Sequence, residues 1–186
     1  MNNSLALTNF RVQLGRIWLI ALFGIAYIIS QTTILLILGP INEAMLELQL
    51  GGTSAAEYLT VFRDWVTSGN MDFYRAHFIL DDPHPIWYAG LFTTLLCWQF
   101  ERLNVSHKYN WMLLLPLGSG LLDWYENKLQ HIFLSTSDFS TIIDPLPLYS
   151  TLASDIKWLF SLIYICLSIV LIVRIIKKSR HGANPK

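Results

Sequence analysis

Asp123, Glu126, Asn127, Gln130 and His131 fall within nine positions of the stretch GLLDWYENKLQHIFL, residues 120–134. Two carboxylates, two amides and an imidazole at such spacing can do acid–base chemistry, hold a divalent ion or line a polar pocket. The stretch follows the apolar run WMLLLPL, so these groups sit where a membrane span would be expected. At 100° per residue, Ser119, Asp123, Glu126, Asn127, Gln130 and His131 share an arc of about 140°. Leu121, Tyr125 and Leu129 take the opposite side, and Lys128 is close enough to the outer end to reach the headgroups.

Depth sharpens the contrast. Asp123 lies twelve residues past Trp111, about 18 Å along a helix axis, near the middle of a bilayer. A central Asp costs about 2.5–3.5 kcal/mol on insertion scales, whereas each Leu contributes only about 0.3–0.6. The span is viable if the stripe faces other helices or a wet cavity. Gly118 and Gly120 allow a neighbour to come close.

Intramembrane acids mark a functional site by default. Asp81, Asp82 and His84, with His77, stand at the outer entrance of the preceding apolar run and are the natural partners of the stripe. The expected pocket is lined by Asp123, Glu126, Asn127 and Gln130, with His131, Asp81, Asp82 and His84 near its mouth. Two other readings stay open. The stripe is interhelical glue, its acids hydrogen-bonded to Ser30, Gln31, Thr32 or Thr33, or it is a subunit contact. No HExxH-type spacing occurs, so no metal and no cofactor is assigned, and no nucleophile is placed.

The elements that must position these residues follow from composition and hydropathy. Of 186 residues, 53% are hydrophobic and only 14% charged. Mean hydropathy is +0.43, which places the chain among membrane proteins. Net charge is zero and argues against nucleic acid as a partner. Cys97 and Cys166 lie in apolar runs and form no disulfide framework.

Four spans are expected, at residues 17–39, 86–102, 111–134 and 156–176. The first exceeds a signal-peptide core and is read as retained. Asp82-Pro83 or His84-Pro85 starts the second, because proline is tolerated in a first helical turn. Arg11, Arg16, Arg102, Lys108, Arg174, Lys177, Lys178, Arg180 and Lys186 fall on one side of this even-span arrangement. Arg63, Arg75, Lys128 and Lys157 fall on the other. The positive-inside rule puts both termini in the cytoplasm.

The outer segment, residues 40–80, carries a short helix ending at Gly51-Gly52. A second helix is capped by Ser54 and Glu57, with Leu59, Phe62, Val66 and Phe73 on its apolar face. These helices either cap the bundle mouth or lie in the outer leaflet. Trp87, Tyr88, Trp111 and Trp158 read as interface anchors. The fold class expected is all-α, a single four-helix transmembrane domain over residues 1–186 with a small extracytoplasmic helical cap.

Across roughly residues 55–130 the chain resembles a group of small bacterial four-span membrane proteins. Trp65 and Gly69 in the outer loop, Asp81 and Tyr88 at the entrance of span two, and the D-x-x-E-N element Asp123, Glu126, Asn127 carry the resemblance. It implies the same topology, in the bacterial inner membrane, and singles out the same acids; it implies no activity. The functional expectation is a non-enzymatic sensor, binding protein or small-molecule-handling subunit among membrane lipids. A homo-oligomer or a membrane-protein partner stays open. The alternatives are an intramembrane hydrolase or transferase acting on a lipid, and a proton-coupled carrier working as an oligomer.

Overall fold

The computed structural model describes residues 10–182; Lys186, counted above among the basic C-terminal residues, lies outside them. The described residues contain helices and connections and no strand. After a helical stretch at 10–14 come α1 (Ile17–Leu38), α2 (Asn42–Gly51), α3 (Ala55–Ser68), α4 (Met71–Asp81) and α5 (His84–Leu103). A 3-10 stretch (His107–Leu113) leads into α6 (Leu114–Phe133), and α7 (Leu146–Gly182) ends the chain.

Helix boundaries follow local chemistry. Pro83 caps α5 and Pro85 sits in its first turn, as the sequence predicts. The α-helix expected from Trp111 begins only at Leu114, because Pro116 has no amide to donate and its ring crowds the carbonyl four residues back. Seven residues of 3-10 helix fill the gap. The last helix is far longer than its apolar run: 37 residues, or about 56 Å, because nothing between Pro147 and Gly182 breaks it.

The outer segment holds three helices where two were expected. Ser54 and Glu57 form the expected capping box. Glu57 Oε2 accepts from the Thr53 and Ser54 amides, and these bonds with the Ser54 hydroxyl hold its carboxyl below the usual range. Gly69 ends α3 at φ 78°, a left-handed conformation that favours glycine, so Phe73 belongs to the next helix. The buried face of α3 is Tyr58, Phe62 and Trp65, whereas Val66 and Phe73 are exposed. Large aromatics that can stack outcompete the aliphatic stripe read from the sequence. Phe62 packs on Trp65, Tyr74 and Phe139, and Tyr58 on Phe133. Phe62 and Phe133 are fully buried, each contributing about 1.5–3 kcal/mol. The cap therefore sits over the ends of α6 and α7; Asp144 accepts from the Ala55 amide and Thr151 donates to the Gly52 carbonyl.

The long helices pack with polar residues inside. On α6, Pro116, Ser119, Asp123, Glu126, Gln130 and Phe133 are buried, at alternating spacings of three and four. On α7 the buried residues Ser150, Ser154, Lys157, Ser161, Tyr164, Ser168 and Leu171 follow the same alternation. Two such seams mesh along their lengths. Ser119 meets Ser161, Asp123 meets Lys157 and Gln130 meets Ser150, so the two helices run antiparallel. Gly118 lies against Phe160 of α7 and Gly120 against Ala89 of α5, the close approaches expected of them.

The outward surfaces are apolar: Leu121, Trp124 and Tyr125 on α6, and Ile25, Ile28 and Leu36 on α1, are exposed. Among the described residues, two helices, α1 and α7, are long and apolar enough to cross a membrane. At the end opposite the cap, Arg11 donates to the carbonyls of Val105 and Ser106 and to Asn110 Oδ1, and Lys178 donates to the Arg102 carbonyl.

Candidate functional site

Lys157 is the residue that the sequence reading misplaced. Expected as an outer-surface cation, it is buried on the inner face of α7. Its Nζ lies 2.7 Å from Asp123 Oδ1 and 2.6 Å from Glu126 Oε2. Asp123 Oδ2 accepts from the Tyr88 hydroxyl at 3.1 Å. The acids are therefore paired with an ammonium, and the hydroxyls of α1 are not their partners. Ser30 instead bonds His84 Nδ1 at 2.8 Å, and Thr33 donates to its own helix at Ile29. Placing two acids on one turn opposite one lysine is a direct product of the two meshing seams.

The expected pocket residues divide into three places. Asp123, Asp81 and His84 line a cavity of about 300 Å³. Its walls are α1 and α7, which hardly touch one another; α2 covers it, and α5 and α6 close its back. Tyr27, Gln31 and Leu35 come from α1, and Lys157, Trp158, Ser161 and Tyr164 from α7. Polar groups gather at the floor, and Ile34, Leu35, Leu38, Phe92 and Ile165 make the walls apolar.

Glu126, Asn127 and Gln130 face a second void of about 10 Å³, shared with Gln49, Tyr58, Tyr74, His77 and Asp81. That is room for about one water. Asp81 borders both spaces. Gln130 here is a clasp: its Oε1 accepts from Tyr74, and its Nε2 donates to Tyr58 and Ser150.

Asp82 and His131 lie elsewhere. They pair with each other at 3.0 Å on the surface, each about half exposed, and line neither space. His131 stands at the edge of the stripe's arc, just outside the face of α6 that buries Gln130 and Phe133 on either side of it. Tyr88, Trp158 and Lys157 are the site residues that sequence reasoning missed. The first two were read as interface anchors; the seam periodicity of α7 was the signal that could have found Lys157. Among the described residues, no three His, Cys, Asp or Glu side chains are grouped to hold a metal ion.

His77 and Asp81, one turn apart on α4, have opposite shifts. Burial, reinforced by Asp123, lifts the Asp81 carboxyl to about 7 despite Lys157 nearby. Burial, reinforced by His131, drops His77 to about 4 against the Tyr74 carbonyl and Asp82, which favour the charged ring. An acid with a raised folded pKa loses stability as pH rises from its unfolded value near 3.8 towards 7. A histidine with a depressed pKa gains stability as pH rises from about 4 to 6.5. The two slopes oppose each other in the wild type. In thermal melts between pH 4 and 7, His77→Gln should uncover a fall in stability with pH, and Asp81→Asn a rise. Identical profiles in both variants would show that neither group is buried as described.

The chain matches no protein-family model, no curated protein and no solved structure. The site has to be read from its own chemistry.

Proposed function

We propose that the chain is a four-span protein of the bacterial cytoplasmic membrane, of the small four-span group it resembles, and that it binds a small membrane-soluble molecule. One observation carries this reading. The cavity lies in the gap between α1 and α7, the two helices apolar enough to cross a membrane, and it has a charged floor beneath apolar walls. A ligand could reach such a site sideways from the lipid. Small-molecule sites are usually apolar clefts with a few placed polar groups. Asp123 and Glu126 are both engaged by Lys157, which supports binding over acid–base turnover.

Helices α5 and α6, at 20 residues each, reach about 30 Å, a hydrocarbon thickness. Arg11, Arg102 and Lys178 meet at one end, the end the positive-inside rule assigns to the cytoplasm. With Lys157 buried, the opposite side keeps fewer exposed cations than was counted from the sequence. In a background with Cys97 and Cys166 replaced by Ser, an impermeant maleimide should label Asp64→Cys in intact cells. It should label Lys108→Cys only after permeabilisation. Equal labelling of both sites in intact cells would end the even-span arrangement.

The binding reading itself is tested by native mass spectrometry of the purified protein. A small amphiphile should stay bound at unit stoichiometry and be lost in Leu35→Trp, which fills the cavity wall. Lipid turnover by the purified protein, abolished in Glu126→Gln, would replace binding with catalysis. The proton-coupled carrier is favoured by one feature, the water-sized void joining Asp81 to Glu126. It requires uptake that depends on pH and is lost in Asp123→Asn.

A further inference from the structure

The lining of the α1–α7 cavity narrows the chemistry of its ligand. Formal charge comes first. Asp81 and Asp123 line the space and Glu126 stands one turn beyond Asp123, against the single ammonium of Lys157. That ammonium already gives two of its three donors to Asp123 and Glu126. An anionic headgroup would meet carboxylates at close range, with Lys157 largely spent on them. A cation would meet a floor with acids in excess, in surroundings where opposite charges attract far more strongly than in water.

The rings agree with the charge. Tyr27, His84 and Tyr88 form a continuous run, with centroids 5.4 Å apart at each step. Phe92, one turn past Tyr88 on α5, makes a second pair with Tyr164 of α7 at 4.6 Å. Aromatic faces attract cations, and ring-lined cages are a recurrent way of holding quaternary ammonium groups. Lys157 Nζ itself lies 5.7 Å from the centroid of Trp158, so a cation already rests against one ring here.

We infer that the cavity takes the ammonium headgroup of a single-chain amphiphile, held between Asp81, Asp123 and the ring walls, with its alkyl chain leaving between α1 and α7. This rests on the membrane-binding reading above. A volume of about 300 Å³ is at the small end of ligand sites. It suits a headgroup and the first part of a chain, and the remainder lies along the exposed leucines and isoleucines of α1 and α7.

Three probes sharing one short chain, which keeps the bromine within the cavity when the headgroup is seated, separate the possibilities: 5-bromopentyltrimethylammonium, 5-bromopentanol and 5-bromopentanoate. Their bromine quenches tryptophan, and Trp158 lines the cavity. Each is titrated at pH 8 into the full-length protein in maltoside micelles, with Trp158→Phe as the subtraction. The ammonium should quench saturably and bind at least tenfold more tightly than the alcohol or the carboxylate. Asp81→Asn should weaken it at least tenfold, with Asp81→Glu restoring most of the loss. Leu35→Trp, at a half-exposed wall position that tolerates a larger side chain, should abolish the saturable component.

Equal binding of all three probes, lost in Leu35→Trp, would overturn the ammonium inference and leave the binding reading standing. Tightest binding by the carboxylate would overturn it too, making Lys157 the anchor. An ammonium preference indifferent to Asp81 would remove the proposed seat. Saturable quenching by none of the probes would bring down the inference and the binding reading together.

Discussion

Lys157→Met should destabilise the protein by about 3–5 kcal/mol, the usual penalty for removing one partner of a buried ion group. Lys157 has little exposed surface, and its Nζ bridges Asp123 and Glu126 within 2.7 Å. Methionine matches the stem of lysine in shape, so packing is conserved and the loss is electrostatic. Two carboxylates would be left facing each other across one helical turn with no counter-ion. The double change Asp123→Asn, Glu126→Gln should also destabilise, since it strands a buried ammonium. The triple variant removes every charge and should regain most of the loss, because neutral replacements of a buried ion group are often harmless. Thermal unfolding of all four proteins in one detergent gives the answer. A triple variant less stable than Lys157→Met would show that the three charges do not act as a unit. The triple variant also separates stability from function: it should fold, yet fail to hold a cationic ligand.

Gln130→Leu is expected to cost about 3 kcal/mol and to leave the α1–α7 cavity intact. Gln130 is buried and joins four helices through one amide: α6, on which it sits, Tyr58 on α3, Tyr74 on α4 and Ser150 on α7. Leucine keeps the volume and deletes the bonds. The Tyr74 hydroxyl then has no acceptor at that point, and a buried polar group left unsatisfied costs about 1–3 kcal/mol. Tyr58 and Ser150 lose a donor as well. The loss should appear first as faster amide exchange in α3 and α4, since Gln130 fastens the cap to α6 and α7. Exchange that rises uniformly over the chain would place Gln130 among ordinary core residues. Gln130 does not line the larger cavity, so ligand binding there should survive.

Most helices were legible from the sequence, and their ends were less so. The apolar run of α1 and the proline-marked start of α5 read directly, because local composition decides them. The start of α6 was misjudged by three residues at Pro116, and α7 was read at little more than half its length. Hydropathy reports the greasy part of a helix and is silent about continuations into a polar cap. The candidate site was half visible. Asp123 and Glu126 announced themselves by being charged within an apolar segment. Lys157 did not, since a lysine beside Trp158 looks like an interfacial anchor, and its partners are more than thirty residues away in sequence. His131 shows the opposite failure: it falls on the margin of the arc, one step outside the face of α6 that its neighbours bury. An arc read from the sequence finds the face of a helix but not its margins, which depend on how far round it the neighbouring elements reach.

The uninterrupted length of α7 has a mechanical consequence. Lys157, Trp158 and Ser161 belong to the cavity, and Lys178, on the same rod, is hydrogen-bonded to the Arg102 carbonyl at the far end. Twenty-one residues of unbroken helix make a lever arm of about 32 Å, so a tilt of about 10° pivoting near Lys157 swings Lys178 through about 5–6 Å. That stroke exceeds the reach of its hydrogen bond to Arg102. The cavity and the basic end of the molecule thus share one unbroken rod, and any tilt of it at Lys157 is multiplied at Lys178.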